Sequence, residues 1–160
     1  MKRVLIVSPH FPPTNAADMQ RVRMISPYLE ETGWSPEILA VEADQVASPQ
    51  DPFLVTSLPD GLLVHRVKAM GLLWSRLPGF GSISSRSIRA LKREGDRLLQ
   101  SKDFDLIYFS TTQFSITKLG LHWRRKFGIP FIMDYQDPWV NDYYGNNPEV
   151  TPPGGRLKYT

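Results

Sequence analysis

The chain has 160 residues, of which 41% are hydrophobic and 22% charged, a composition typical of a folded globular domain and not of a disordered, fibrous or membrane-embedded chain. It contains no cysteine, which excludes disulfide bonds and thiolate metal sites. No apolar run approaches the roughly 18 residues of a membrane-spanning helix, and the first one is too short for the core of a signal peptide. We therefore expect a cytoplasmic domain, whose net charge of +3 suits anionic ligands without requiring them.

Apolar runs alternate along the chain with amphipathic stretches. Short runs rich in β-branched and aromatic residues predict strands at residues 3–7, 36–41, 62–68, 105–110 and 130–134. Apolar residues at helical spacing predict helices at residues 17–32, 84–99 and 114–127. We expect the first helix to be capped by Thr14 or Asn15, kinked or ended early by Pro27, and terminated by Gly33.

Strands that alternate with helices predict an α/β fold, a Rossmann-like, doubly wound parallel sheet with helices on both faces. In such sheets, ligands bind beyond the carboxyl ends of the strands, near the point where the strand order reverses. This rule selects three loops, at residues 7–21, 110–113 and 135–141. We expect one domain over residues 1–145, and the Pro, Gly and Asn residues of 146–160 indicate a linker or the start of a truncated segment.

The first loop, VSPHFPPTNAADMQR, has the position of a nucleotide-binding turn but contains no glycine. A dinucleotide site needs glycines there so that the backbone can approach the pyrophosphate, and this disfavours NAD or FAD. Pro9 and His10 also resemble the opening of zinc-dependent sugar deacetylases, yet the next residues are Phe11, Pro12 and Pro13, which neither bind zinc nor take a proton. We interpret His10 as a loop imidazole that caps backbone groups or lines a cleft, and we expect no metal.

Other polar residues are explained more simply by structural or surface roles than by metal or nucleic-acid binding. His65 and His122 show no metal-ligand spacing to His10, and we expect structural or surface roles for both. The Asp-Phe-Asp sequence at residues 103–105 matches a metal-binding signature of sugar transferases, but it precedes a strand and so lies at the edge opposite the expected crevice. We interpret the basic residues of the second predicted helix as a solvated face, not as a nucleic-acid contact, with these side chains outward: Arg86, Arg89, Arg93 and Arg97.

Residues 70–80, MGLLWSRLPGF from Met70 to Phe80, concentrate large apolar side chains in a stretch broken by Gly and Pro. Lys68 and Arg76 lie close by in the sequence. Two interpretations stay open. The segment either dips into the interface of a membrane or contacts a lipid-linked acceptor, or it packs against the core of its own domain.

Three stretches together resemble the N-terminal domain of GT-B glycosyltransferases of family 4, the large retaining group: HFPPTNAADMQRVRMISPYLEETGWSPEILAV, LPDGLLVHRVKA and FDLIYFSTTQFSITKLGLHWRRKFGIPFIMDYQDPW. The resemblance implies two Rossmann-like domains that face each other across a cleft. This chain would be the acceptor-side domain, and a second domain, absent here, would bind a nucleotide-sugar donor without a metal. Sugar transfer to a glycan or lipid-linked acceptor, in synthesis of a cell-surface polysaccharide or glycolipid, would then need the full-length protein, and the isolated domain would be inactive.

The resemblance also assigns roles by position. Asp137 would help to activate or orient the acceptor hydroxyl, unless it only caps its loop before Pro138. The cleft would be lined by His10, Pro13, Asn15, Ala16, Arg21, Thr111, Thr112, Gln113, Tyr135 and Gln136, with Arg21 turned either to the cleft or to solvent. Two departures stand out: Asn15, Ala16 and Ala17 replace a Gly-Gly pair, and Gln136 stands where relatives often carry arginine. A non-catalytic α/β binding module is the main alternative, and a zinc-dependent sugar deacetylase a further one.

Overall fold

The computed structural model describes residues 1–77, 79–136 and 142–150. Its centre is a parallel sheet of five strands in the order β3-β2-β1-β4-β5. The strands are β1 (Lys2–Val7), β2 (Trp34–Val41), β3 (Leu63–Val67), β4 (Leu106–Ser110) and β5 (Phe131–Asp134). All five lie where the apolar runs predict them, and the expected Rossmann-like α/β class is confirmed.

Helices cover both faces of this sheet. The α-helices are α1 (Gln20–Leu29), α2 (Ile83–Ser101), α3 (Lys118–Phe127) and α4 (Asp142–Asn146). Short 3-10 turns connect or extend them at Ala17–Met19, Glu30–Thr32, Ala43–Gln45, Pro52–Ser57, Leu72–Arg76 and Phe114–Thr117. α1 packs on one face of the sheet, and α2 and α3 pack on the other. Because the strand order runs outward from β1 in both directions and the helices lie on both faces, the sheet is doubly wound.

Each strand divides its side chains between two cores, because successive residues point to opposite faces. In β1, Val4 and Ile6 face α1, whereas Leu5 and Val7 face α2 and α3. The second core contains Trp123, which is fully buried and stacks on Phe109 with 5.9 Å between ring centroids. Continuous apolar strands of this kind are typical of parallel sheets buried on both faces.

Two expectations about helix ends meet different outcomes. Neither Thr14 nor Asn15 caps the first helical segment, because Ala16 stands at its N-cap without a side-chain hydrogen bond. Pro27 lies within α1, which continues to Leu29 before the chain tightens into a 3-10 turn. Gly33 ends that turn with a φ of 84°, the left-handed conformation that favours glycine.

The outward orientation predicted for Arg86 is wrong. Its side chain is buried, and Nη1 donates to the carbonyl oxygens of Met70 at 2.7 Å and Gln45 at 3.2 Å. The guanidinium thereby satisfies carbonyls of two loops that the helical pattern does not reveal. Arg89, Arg93 and Arg97 are exposed, as predicted.

A buried carboxylate holds charged groups together toward the amino ends of the strands. Glu37 of β2 is 3% exposed and accepts hydrogen bonds from His65 Nε2 at 2.7 Å, from Lys102 Nζ at 2.7 Å and from the guanidinium of Arg3. Burial alone would raise the pKa of Glu37, but the three partners outweigh it and lower the pKa to about 2. At the same edge Asp105 accepts from the backbone N–H of Arg3 at 2.7 Å, which supports a structural role for the Asp-Phe-Asp sequence.

Candidate functional site

The strand order reverses between β1 and β4, so the loops that follow these neighbouring strands diverge at the carboxyl edge of the sheet. The first loop is held against its surroundings by backbone hydrogen bonds from Val41 to Pro9 at 3.0 Å and from Asp51 to Pro13 at 2.7 Å. Arg66 of β3 adds a side-chain hydrogen bond to the Pro12 carbonyl. These contacts fix the position of the proline-rich loop at the carboxyl edge of the sheet.

The first loop and the helical segment that follows it bring together His10 and Asp18. His10 Nδ1 lies 2.8 Å from Asp18 Oδ1 and 3.0 Å from Oδ2, and both residues are buried. Burial would raise the pKa of Asp18, but hydrogen bonds from His10 and from Thr112 and Thr111 hold the pKa below its usual value. Asp18 is therefore a carboxylate, which can only accept a hydrogen bond, so Nδ1 of His10 is the donor in this contact.

The loop after β4 completes the hydrogen bonds of this carboxylate. Thr111 Oγ1 donates to Asp18 Oδ2 at 3.2 Å, and the backbone N–H of Thr112 donates to the same oxygen at 3.3 Å. Thr111 Oγ1 also accepts from the backbone N–H of Gln113 at 2.9 Å. His10 Nε2 has no hydrogen-bond partner among the described residues. One side of the imidazole is thus fixed by Asp18.

Gln136 ties the third loop to the other two. Its Nε2 donates to the backbone carbonyl of Asp18 at 2.9 Å and to Ser110 Oγ at 2.8 Å. An arginine at this position would bring a positive charge, whereas the neutral amide crosslinks the loops after β1, β4 and β5. One connected hydrogen-bond network therefore contains five of the predicted cleft residues, His10, Thr111, Thr112, Gln113 and Gln136.

A second carboxylate, Asp134 at the end of β5, lies next to this network. It accepts from Ser110 Oγ at 3.1 Å and from the Tyr108 hydroxyl at 2.9 Å, and it forms an ion pair with Arg21. Burial and the adjacent Asp134 raise the pKa of Tyr108, which keeps its hydroxyl a donor at neutral pH. The side chain of Arg21 is half exposed, so it crosses from α1 toward β5 and is not directed only into solvent.

The remaining predicted residues surround the buried pair at the surface. Asn15 is exposed, and its backbone N–H donates to the Pro49 carbonyl at 2.7 Å, while Ala16 and Pro13 are half-buried. Tyr135 is 48% exposed, and its ring lies 5.6 Å from that of Phe114, centroid to centroid. Of these residues, Tyr135 presents a half-exposed aromatic ring that a ligand could contact.

Asp137, the predicted catalytic residue, lies outside the described residues, and so does most of the expected segment 146–160. Its role and the domain boundary at residue 145 stay predictions. The described residues contain no group of three or more His, Asp or Glu side chains placed to hold a metal ion. None of the helices in the described part of the chain has the length and hydropathy that crossing a bilayer requires.

The two carboxylates on which the network depends, Asp18 and Asp134, are not among the residues predicted from the sequence. Asp18 follows His10 by eight residues and lies in the first helical turn after the loop. A loop histidine followed by an acidic residue at the start of a helix is the sequence feature that could have indicated this contact. Asp134 is the last residue of a predicted strand, where the carboxyl-edge rule points to it directly. The other two histidines have the expected structural positions, with His65 on Glu37 and His122 Nε2 3.2 Å from Asp96 Oδ1.

Comparisons with known proteins point to one class. No protein-family model matches the sequence, and no curated protein matches it significantly. Among solved structures, UGT2 of Phytolacca americana, complexed with UDP-2fluoro-glucose and pterostilbene, aligns with 83% of this chain at a TM-score of 0.54 and 15% identity. A ugt transferase from Siraitia grosvenorii in complex with UDP aligns with 84% of this chain at a TM-score of 0.50 and 11% identity.

Both neighbours are UDP-glycosyltransferases of the GT-B fold, and the chain spans 29% and 28% of their lengths. At these identities the similarity concerns the fold. The chain is thus a Rossmann-like domain of the kind found in GT-B glycosyltransferases. The expected GT-B fold is confirmed, whereas membership of family 4 is not what these neighbours establish.

Proposed function

We propose that this chain is the acceptor-side domain of a nucleotide-sugar-dependent glycosyltransferase. The observation that carries the proposal is the buried His10–Asp18 pair at the switch point of a GT-B-like domain, in which Nε2 has no hydrogen-bond partner among the described residues. A second domain across the cleft would hold the donor, as the family 4 resemblance implies. We further propose a cytoplasmic enzyme of cell-surface polysaccharide or glycolipid synthesis, since the three quoted stretches resemble that group.

His10 takes the proton of the acceptor hydroxyl in this proposal. The hydroxyl oxygen bonds to the anomeric carbon of the donor, the bond from that carbon to the nucleoside diphosphate breaks, and Nε2 receives the hydroxyl proton. Asp18 fixes the ring through Nδ1–H and stabilises the imidazolium that forms. The threonine donors keep Asp18 ionised without adding a competing cation.

Asp137 orients the same hydroxyl in this proposal, and the position of its neighbour Gln136 supports the role, because the Gln136 amide donates to the backbone carbonyl of Asp18. Asn15 and Ala16 border the donor phosphates, where the start of the helical segment favours an anion. The protein requires no metal cofactor in this scheme, since the donor diphosphate is met by backbone N–H groups and by the second domain.

Retention of configuration is the outcome that the family 4 resemblance implies, whereas attack from the face opposite the leaving group would invert the anomeric carbon. In either course the acceptor proton must leave, so the role of His10 does not depend on the outcome. Proton NMR of the product reports the anomeric configuration. A retained configuration supports the family 4 assignment, and an inverted one contradicts it.

The test is release of nucleoside diphosphate by the complete protein, offered UDP-, GDP- and dTDP-sugars with water or simple glycosides as acceptor probes. We expect release with at least one donor, reduced roughly 100-fold in His10→Ala and in Asp137→Ala. Circular dichroism checks that both variants fold. Absence of release with every donor would instead support a non-catalytic binding module, whereas release that both variants retain in full would contradict the roles given to His10 and Asp137.

A further inference from the structure

Residues 70–80 expose large apolar side chains that the domain core does not cover. Leu73 is 76% exposed, Trp74 48% and Leu77 48%. The Trp74 ring contacts that of Phe80 with 6.2 Å between centroids, but this contact leaves half of the indole in solvent. Packing against the core, one of the two interpretations of this segment, is therefore not what these three side chains do. We call Leu73, Trp74 and Leu77 the apolar patch.

The apolar patch stands on a fixed base. The backbone N–H of Met70 donates to the Arg86 carbonyl at 3.0 Å, and the buried Arg86 guanidinium donates back to the Met70 carbonyl at 2.7 Å. The Leu72–Arg76 segment forms a 3-10 turn, closed by a hydrogen bond from the Leu77 N–H to the Trp74 carbonyl at 3.0 Å. The exposed side chains are thus presented by an ordered turn with a clamped start.

The sequence that contains and flanks the apolar patch carries charges of one sign. Two acids of the loop after β2, Glu42 and Asp44, lie near its base, where the Glu42 N–H donates to the Val67 carbonyl at 3.0 Å and the Gln45 carbonyl shares the Arg86 guanidinium with that of Met70. Residues 61–93 contain no Asp or Glu, while Lys68, Arg76 and Arg89 are exposed cations in or beside the patch. These three cations have no ion-pair or hydrogen-bond partner among the described residues. Exposed cations without a carboxylate partner, next to exposed apolar side chains, favour an anionic lipid surface as the occupant of this patch.

Apolar side chains with a tryptophan, flanked by unpaired cations, match the two requirements of interfacial binding, burial among the acyl chains and attraction to lipid phosphates. The patch follows the carboxyl end of β3, so it lies at the same edge of the sheet as His10 and Asp18. A bilayer on this side would lie along the edge of the sheet that carries His10 and Asp18.

We propose that residues 70–80 dock this domain onto an anionic phospholipid bilayer. Leu73, Trp74 and Leu77 enter the headgroup region, and Lys68 and Arg76 contact lipid phosphates. This docking does not rest on the transferase function, because it needs neither donor nor acceptor, and its test measures binding alone.

The test is co-sedimentation of the full chain with vesicles of phosphatidylcholine, with and without phosphatidylglycerol. We expect binding to the anionic vesicles that weakens with salt, and little binding to the neutral ones. Trp74→Ser should weaken binding roughly tenfold, as should Leu73→Ser. The double variant Lys68→Gln/Arg76→Gln should weaken it on the order of tenfold.

Two matched controls lie on α3. Leu121 is 47% exposed and has neighbouring arginines, so Leu121→Ser removes a similarly exposed apolar group elsewhere on the surface. The exposed pair Arg124 and Arg125 gives a double variant, Arg124→Gln/Arg125→Gln, with the same change in net charge. Both controls should bind as the unchanged chain does.

Failure of the unchanged chain to bind anionic vesicles overturns the proposal, and so does equal binding to neutral vesicles. Equal loss in Leu121→Ser and Trp74→Ser would mean that the patch has no special role. Sedimentation velocity provides a separate check: self-association that Trp74→Ser abolishes identifies a second copy of the chain as the occupant and contradicts membrane docking. Cooperative thermal unfolding confirms that each variant is folded.

Discussion

Two histidine–carboxylate pairs lie at opposite edges of the same sheet, and their surroundings differ. Toward the amino ends, Glu37 is held by His65 together with two cations, Lys102 and Arg3. At the carboxyl edge, Asp18 is held by His10 and by neutral donors of the loop after β4. Both carboxylates are 3% exposed, so burial does not separate the two pairs.

The difference lies in how the negative charge is balanced. Around Glu37 two permanent cations share the carboxylate with His65, so protonation of that imidazole would add a further positive charge to a region already compensated. Around Asp18 no permanent cation makes contact among the described residues, so the carboxylate can stabilise a positive charge on His10. We infer that the His65–Glu37 pair stabilises the fold and that the His10–Asp18 pair takes part in catalysis.

The largest effect on stability is expected from Glu37→Ala. This variant leaves Arg3, Lys102 and His65 without their shared acceptor, and loss of one partner of a buried charge cluster costs about 3 kcal/mol. Urea unfolding followed by circular dichroism measures the free energy of unfolding. Asp18→Ala, measured in the same way, should cost less because its hydrogen-bond donors are mainly neutral. A larger loss for Asp18→Ala would reverse the comparison.

Acid should weaken the Glu37 cluster in a defined window. The pKa of Glu37 is lowered from 4.5 to about 2 in the fold, so its contribution to stability is present above the unfolded value and is lost as the pH falls through the folded value. The melting temperature should therefore fall between about pH 4.5 and about pH 2. In Glu37→Gln this part of the fall should be missing. An unchanged pH dependence in that variant would contradict the assignment.

An uncharged contact between α2 and α3 provides a reference for the losses of stability expected at the two edges of the sheet. A Cβ added at Gly95 would lie 2.2 Å from Trp123 Cζ2, so Gly95→Ala forces the buried indole to move. Overpacking of this kind costs about 1–3 kcal/mol. The matched control is Gly71→Ala, where an added Cβ meets nothing within 4 Å and φ is −55°. Chemical denaturation should show a loss for Gly95→Ala alone, and equal stabilities would show that the helices adjust freely.

The smallest effect is expected from Thr111→Val at the carboxyl edge. It removes one donor to Asp18 and one acceptor for the Gln113 N–H, with a cost of about 1 kcal/mol. Thr56→Val serves as the control, because Thr56 is exposed and its hydroxyl donates only to a nearby carbonyl at 2.7 Å. Differential scanning calorimetry should give a lower melting temperature for Thr111→Val than for this control. The reverse order would mean that Thr111 adds nothing to the hold on Asp18.

The strands and their order of appearance could be predicted from sequence because burial on both faces makes each strand a short apolar run. Gly33 could be predicted as a helix end because glycine adopts the left-handed conformation without steric cost, and its φ is 84°. The buried position of Arg86 could not, since it depends on carbonyls of two distant loops that only the folded chain brings within reach. Local periodicity carries no information about such partners.

In the candidate site, too, the positions of the loops could be predicted from the sequence, whereas the partners of individual side chains could not. The carboxyl-edge rule selects the three loops, and Gln136 connects them by hydrogen bonds as that rule would require. The rule does not predict which side chains form hydrogen bonds or ion pairs with one another. Asp18 was missed because its contact with His10 joins a loop to the following turn, and Asp134 because its partners Tyr108 and Arg21 come from distant positions in the sequence.

Nucleoside diphosphate release by the complete protein tests the central claim most directly when His10→Ala is compared with His65→Ala. Each substitution removes one imidazole from a buried carboxylate. We predict that His10→Ala loses activity roughly 100-fold and regains part of it when imidazole is added, because the free base can occupy the vacated position. His65→Ala should lower the melting temperature and keep the rate. An unchanged rate in His10→Ala, or an equal loss in both variants, would contradict the assignment of chemistry to the carboxyl edge.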